Sequence, residues 1–158
     1  MISTKAMNNE LEKAKTWDDV KKIIKNNPMP TFGQKFEELR QKYKIESATA
    51  QKRLENTFGI GKTSFYYYLD GRRNPRKDVV IKMGLVIGAT VEEINELLKL
   101  SKHKELYSKS KEDAVIIFAI KSKRIKNFED LKELDEDLKK LDEVLASYKS
   151  KMKFYVDK

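Results

Sequence analysis

GIGKTSFYYYLDGRRNPRKD, residues 59–78, decides how this chain is read. The stretch is a tight turn, a short helix, a glycine stop and a basic, proline-marked exit. Gly59 suits a left-handed turn because it carries no Cβ penalty there. Gly61 is an acceptable N-cap for a helix opening at Lys62. Phe65, Tyr68 and Leu69 fall at i, i+3 and i+4 and form one inward stripe. Lys62, Thr63, Ser64, Tyr66 and Tyr67 are left facing outward. Gly71 ends the helix, and Pro75 biases Asn74 toward an extended backbone. Arg72, Arg73, Arg76 and Lys77 then place four cations within six residues, for which a polyanionic partner is the economical reading.

Composition agrees with a helical, nucleic-acid-directed chain. Of 158 residues, 37% are charged, only six are glycine and three proline, and the formal net charge is +9. That length suits one compact domain with appendages. The charge is unevenly spread: residues 31–80 hold 11 Lys/Arg against 6 Asp/Glu, whereas residues 127–145 hold 3 against 8. The basic excess therefore coincides with the turn–helix stretch, where DNA binding requires it. With no cysteine, disulfides, thiolate catalysis and Cys-based zinc sites are excluded. The single histidine, His103, has no ligand cluster beside it and reads as a solvated loop residue, so neither metal nor cofactor is expected. The first residues lack a signal peptide's apolar core, and AVIIFAI at 114–120 is far shorter than the ~20 residues of a membrane span. A cytoplasmic protein without membrane contact is expected.

Working outward, residues 1–30 read as an N-terminal arm of one or two amphipathic helices covering the domain. Thr16 and Asp19 form a start signal there, and Trp17, Val20, Ile23 and Ile24 recur at helical spacing. Thr31 and Gln34 open a helix with the stripe Phe32, Phe36, Leu39 and Tyr43. Residues 45–49 read as a connection, followed by a helix from about Ala50 to Thr57. After the basic exit, Val79 to Ile87 is dense enough for a mostly buried helix, with Gly84 at a close approach. Thr90 and Glu93 cap the next helix, and Ser110 and Asp113 start a sixth, buried helix over 111–124. Asn127 and Asp130 begin a long helix whose apolar positions are Leu131, Leu134, Leu138, Leu141, Leu145, Tyr148, Met152 and Tyr155. Steps alternating three and four predict a coiled-coil seam, with residues 127–158 making a homodimer; folding back on the chain's own domain is the competing outcome.

The order G-I-G-K-T-S-F-x-x-x-L-D-G followed by R-R-N-P resembles the recognition-helix half of a lambda-repressor-like (Cro/C1, XRE-type) helix-turn-helix. Gly71, Arg73, Pro75, Asp78, ELLKL at 96–100, Leu106, Tyr107 and DAVIIFAI at 113–120 resemble a firmicute and fusobacterial branch of it. The resemblance spans roughly residues 30–124. It implies an all-α fold: a five-helix bundle within residues 31–126, extended by the N-terminal helices, the sixth helix and the long C-terminal helix. It also implies that the residues opening the second helix of the unit enter the DNA major groove, and that Gln51 touches phosphate and braces that helix. Glu55 departs from the family, which carries a small residue there.

The expected function is sequence-specific binding of double-stranded DNA by a transcriptional regulator, acting as a repressor. Gln51, Arg72, Arg73, Arg76 and Lys77 would hold phosphates, while Lys62, Thr63, Ser64, Tyr66 and Tyr67 would read base edges. One tyrosine packing on Arg72 or on the core, rather than touching DNA, is the alternative for that side chain. A second reading is a mobile-element protein-binding module, an antitoxin or an inhibitor of a nuclease system, with a protein partner. An enzyme is not expected: GIGKTS mimics a phosphate loop, but that pattern needs glycine at Asn56, and Glu92/Glu93 and Asp18/Asp19 sit at helix starts, where the helix dipole explains them.

Overall fold

The computed structural model describes residues 3–122 and 124–157; Met1, Ile2, Lys123 and Lys158 lie outside it. Among the described residues there are nine helices and no strand. They divide into two compact units, one ending at Pro30 and the other beginning at Thr31.

The first unit is a pair of ten-residue helices, α1 (Thr4–Lys13) and α2 (Trp17–Asn26). Ser3 caps α1, and Thr16 with Asp19 forms the expected reciprocal cap on α2. Asn27 closes α2 on the Ile23 carbonyl and reaches Glu10 of α1. Neither helix has a buried residue, and Trp17 is 84% exposed.

The second unit holds α3 (Phe32–Lys42), α4 (Ser47–Phe58), α5 (Lys62–Asp70), α6 (Lys77–Ile87), α7 (Val91–Leu100), α8 (Lys111–Lys121) and α9 (Leu131–Ser147). Local chemistry sets the boundaries. Thr31/Gln34 and Thr90/Glu93 form reciprocal caps on α3 and α7. Gly59, Gly71 and Gly88, all with positive φ, stop α4, α5 and α6. Helix α4 begins earlier than the sequence implies, at Ser47, so the connection after α3 is short.

Helix α6 is the centre of this unit. Every residue from Val79 to Ile87 is buried, and α3, α4 and α7 pack around it. Gly84 makes this close approach possible: an added Cβ would stand 2.4 Å from Ile94 Cγ1 of α7, so the Ile94 side chain would have to shift. Lys82 is the polar exception. Its ammonium pairs with Asp78 at 3.3 Å and lies over the rings of Phe58 and Phe154.

Two expectations for the C-terminal part are corrected. Helix α8 ends at Lys121 rather than residue 124, and it is half-buried rather than buried. Asp113, Ile116, Ala119 and Ile120 face inward, while Phe118 is 77% exposed. The long coil over 127–155 is a 17-residue helix starting after Asp130, with its seam covered from within. Leu134, Leu138, Leu141 and Leu145 are buried in the chain's own core, where α9 packs on α8. The heptad pattern describes one apolar face, and here the bundle supplies the cover. That seam is therefore not available to a second copy, and Leu131 and Tyr148 at its ends are exposed.

After α9 the chain reverses at Lys149, a left-handed residue with φ 64°. Asp142 of α9 accepts hydrogen bonds from the backbone N–H groups of Phe154 and Tyr155, at 2.7 and 2.9 Å. Phe154 is thereby inserted edge-on against Phe58 of α4 and is 1% exposed.

Glu93 ties α3 to α7. It is buried and accepts from the Thr90 backbone N–H, from Lys42 Nζ at 2.6 Å and from the Tyr43 hydroxyl. Burial alone would raise this carboxyl. The bonds from Lys42, Thr90 and Tyr43 outweigh it and hold the group at about 2, below its ordinary 4.5.

Two outcomes are expected. Phe154→Ala should lower the unfolding free energy by roughly 3–5 kcal/mol, as read from urea midpoints. A cost below about 0.5 kcal/mol, the scale of an ordinary surface change, would mean that the tail is not part of the core. The Glu93 contribution is complete above pH 4.5 and is lost as the pH falls through about 2. Glu93→Gln should therefore cost roughly 1–3 kcal/mol at neutral pH, with the gap to the parent protein closing in acid. A gap independent of pH would argue against the ionised carboxylate as its cause.

Candidate nucleic-acid interface

Helices α4 and α5 are joined by three residues. Gly59 is left-handed, and the Ile60 N–H bonds back to the Leu54 carbonyl, so the chain leaves α4 in a fixed direction. Gly61 has an extended backbone and opens α5 without a side-chain cap. Phe65 anchors α5 in the core, edge-on to Phe36 of α3 with ring centroids 5.9 Å apart. Tyr68 and Leu69 are half-buried against the same core.

The close approach of α3 to α5 depends on Gly33. A Cβ there would lie 1.9 Å from the Leu69 carbonyl oxygen, an overlap with main chain that no rotamer change relieves. The sequence shows this residue only as a weak helix former near the start of α3.

On the outward side, Lys62 and Thr63 are exposed and Tyr66 is 41% exposed. Ser64 and Tyr67 are partly covered by the exit arginines. Arg73 Nη1 donates to Ser64 Oγ at 3.2 Å, and the Arg72 and Arg73 guanidinium groups lie 5.0 and 6.0 Å from the Tyr67 ring centroid. Tyr67 thus takes the packing role weighed for one of the tyrosines. The two arginines fold back along α5, and a bond from the Arg73 N–H to the Tyr67 carbonyl closes the helix end.

Arg76, the N-cap of α6, has a side chain 81% exposed beside Asp78. Arg72 and Asp70 make a similar loose pair at 3.3 Å. Such exposed pairs contribute little and part readily for another anion. Lys62, Thr63, Ser64, Tyr66, Tyr67, Arg72, Arg73 and Arg76 therefore all belong to α5 and its exit.

Two predicted contacts are placed differently. Lys77 is held by Asp113 of α8 at 2.9 Å, and its side chain is 26% exposed, so it ties helices together. Asp113 also accepts from the Tyr107 N–H, which makes it a junction beneath the exit loop. Gln51 is buried, and its amide donates to Glu55 Oε2 at 3.3 Å. Glu55 itself is exposed, so its charged side chain stays in solvent.

Sequence reasoning also missed what holds the exit loop. Asn74 Nδ2 donates to the Ser101 carbonyl at 2.9 Å, and His103 Nε2 donates to the Pro75 carbonyl at 2.8 Å. His103 is half-buried, not a solvated loop residue. These pairs join residues 27 and 28 positions apart, beyond the reach of any local pattern. Among the described residues, no group of three or more His, Asp or Glu is placed to hold a metal ion. No family model, curated protein or solved structure matches this chain.

Gly33→Ala should lower the unfolding free energy by roughly 1–3 kcal/mol, because α3 and α5 must separate to admit the methyl group. Thermal or urea unfolding checks this. A variant as stable as the parent would show that the two helices part without cost.

Proposed function

We propose that this chain is a sequence-specific duplex-DNA-binding regulator, a cytoplasmic repressor that reads its site with α5. The observation that carries the reading is the exposed first turn of α5, flanked at the other end by three exit arginines outside the core. In this reading α3 to α7 are the five helices of a lambda-repressor-like bundle. The left-handed Gly59 makes the turn of the helix-turn-helix unit. A nine-residue helix about 13 Å long is of a size to lie in a B-DNA major groove about 12 Å wide.

The roles divide by position. Lys62 and Thr63 would reach base edges, with Tyr66 beside them. A lysine there can donate to guanine O6 and N7. Arg72, Arg73 and Arg76 would meet phosphates, which fix register and supply salt-dependent affinity. Gln51 and Lys77 would act indirectly, Gln51 within α4 and Lys77 by tying α6 to α8. The reading is of a binding protein rather than an enzyme. No described helix is long and apolar enough to cross a membrane.

One observation favours a second reading, a mobile-element protein-binding module such as an antitoxin or a nuclease-system inhibitor. The first unit exposes Trp17, Ile24 and Met29, side chains of the kind that anchor protein interfaces. This role is compatible with DNA binding by the second unit.

Duplexes selected from a random pool and scrambled controls, titrated across a salt series, test the main reading. Lys62→Ala should cost roughly 1–3 kcal/mol on the selected site and little on the scrambled one. Replacing Arg72 and Arg73 with alanine should weaken both and flatten the slope of log affinity against log salt by nearly two, at about 0.9 per phosphate. If Lys62→Ala weakens both duplexes alike and the arginine pair leaves the slope unchanged, this docking is wrong and the protein-partner reading moves ahead.

A further inference from the structure

Residues 149–157, beyond α9, belong to no helix, and exposure alternates along their centre. Met152 is half-buried and Phe154 buried, while Lys151 and Lys153 between them are exposed. The inward residues and the Asp142 carboxylate, which holds two consecutive backbone N–H groups, fix the tail. Its lysines therefore sit on an anchored main chain.

The anchoring brings them to the proposed DNA surface. Lys151 and Lys153 line a shallow pocket of about 410 Å³ together with Arg76, the exposed cation at the start of α6. Asp78 and Glu112 line it too. Asp78 is already shared between Lys82 and Arg76, so the opening keeps an excess of cations. Farther along, Val156 reaches the turn that leads into α5, with Cγ1 3.4 Å from where a Gly59 Cβ would stand. The tail thus borders the recognition unit on two sides, at the basic exit and at the turn before Lys62.

We propose that Lys151 and Lys153 bind the phosphate backbone of duplex DNA, so that the tail is a basic strap extending the surface begun by Arg76. This rests on the DNA-binding reading above. The strap contributes affinity rather than sequence choice, since it carries its cations outside the helix that would meet base edges. Its positions are separated from Arg76 by some 75 residues of sequence, and only the fold joins them.

The test is titration of the full chain with a labelled random-sequence duplex across a salt series. Lys151→Ala/Lys153→Ala should flatten the slope of log affinity against log salt by about 1.8, at about 0.9 per phosphate. It should weaken selected and random duplexes by the same factor, with an unchanged unfolding midpoint because both side chains are exposed. A control pair on α9, Lys132→Ala/Lys140→Ala, removes the same charge from exposed positions away from that pocket and should leave the slope alone. An unchanged slope in the tail variant, with binding intact in the parent, overturns the strap and leaves the DNA reading standing. Equal flattening by the control pair reduces the effect to net charge and overturns the strap as well. No duplex binding by the parent protein at low salt removes both.

Discussion

Main chain meets main chain where α3 crosses α5, and no side chain fits between. The Gly33 backbone against the Leu69 carbonyl sets a separation that larger residues could not hold. That separation lets Phe36 and Phe65 meet edge-on and seats α5 as an anchored helix. Close packing of this kind leaves little room for adjustment. The direction in which Lys62, Thr63 and Tyr66 project thus depends on an atom that is absent. A second absent Cβ, at Gly84, makes room for a side chain instead, admitting Ile94 of α7 against α6.

Charge is used here in two ways that composition does not separate. Lys35, Lys82, Glu93 and Asp113 are buried and paired, and each joins helices or stabilises a helix beginning. Removing one partner of such a pair strands the other, so these charges specify how helices meet. Arg72, Arg76, Lys151 and Lys153 are exposed, and what pairing they have is loose. A net charge of +9 counts both kinds alike. Lys77 shows the difference: one position from Arg76 in sequence, it is drawn inward by Asp113 while its neighbour faces out.

What could be read from sequence was local. The reciprocal caps at Thr16, Thr31 and Thr90, the left-handed Gly59 and Gly71, and the bounds of α5 follow from interactions spanning a few residues. The outward face of α5 follows from helical period. What could not be read was long-range. Spacing shows that α9 has one apolar face, but whether a second chain or the bundle covers it depends on where α8 lies. The helix dipole accounts for acids near the start of α8 and says nothing about which lysine Asp113 will take. His103 lacks ligand neighbours in sequence, yet it finds the Pro75 carbonyl 28 positions away. The eight outward residues of the candidate site came from one continuous stretch, whereas its supports and the tail lysines are assembled by the fold.

The insertion of Phe154 beside Phe58 has a consequence for how the protein is made. Synthesis proceeds from the N-terminus, and domains form as their residues emerge. Helices α3 to α7 can collect around α6 while the later chain is still being polymerised. Yet the ring that covers Phe58 and Lys82 is encoded almost a hundred residues after α4. Closing so large a loop defers this contact until its entropy cost has been met. Until residue 154 has been made, one flank of α4 and α6 is bare: the Phe58 ring and the Lys82 ammonium, at the edge of the surface proposed for DNA. The nascent bundle would seat α5 before it acquires the segment that completes the core beside α4.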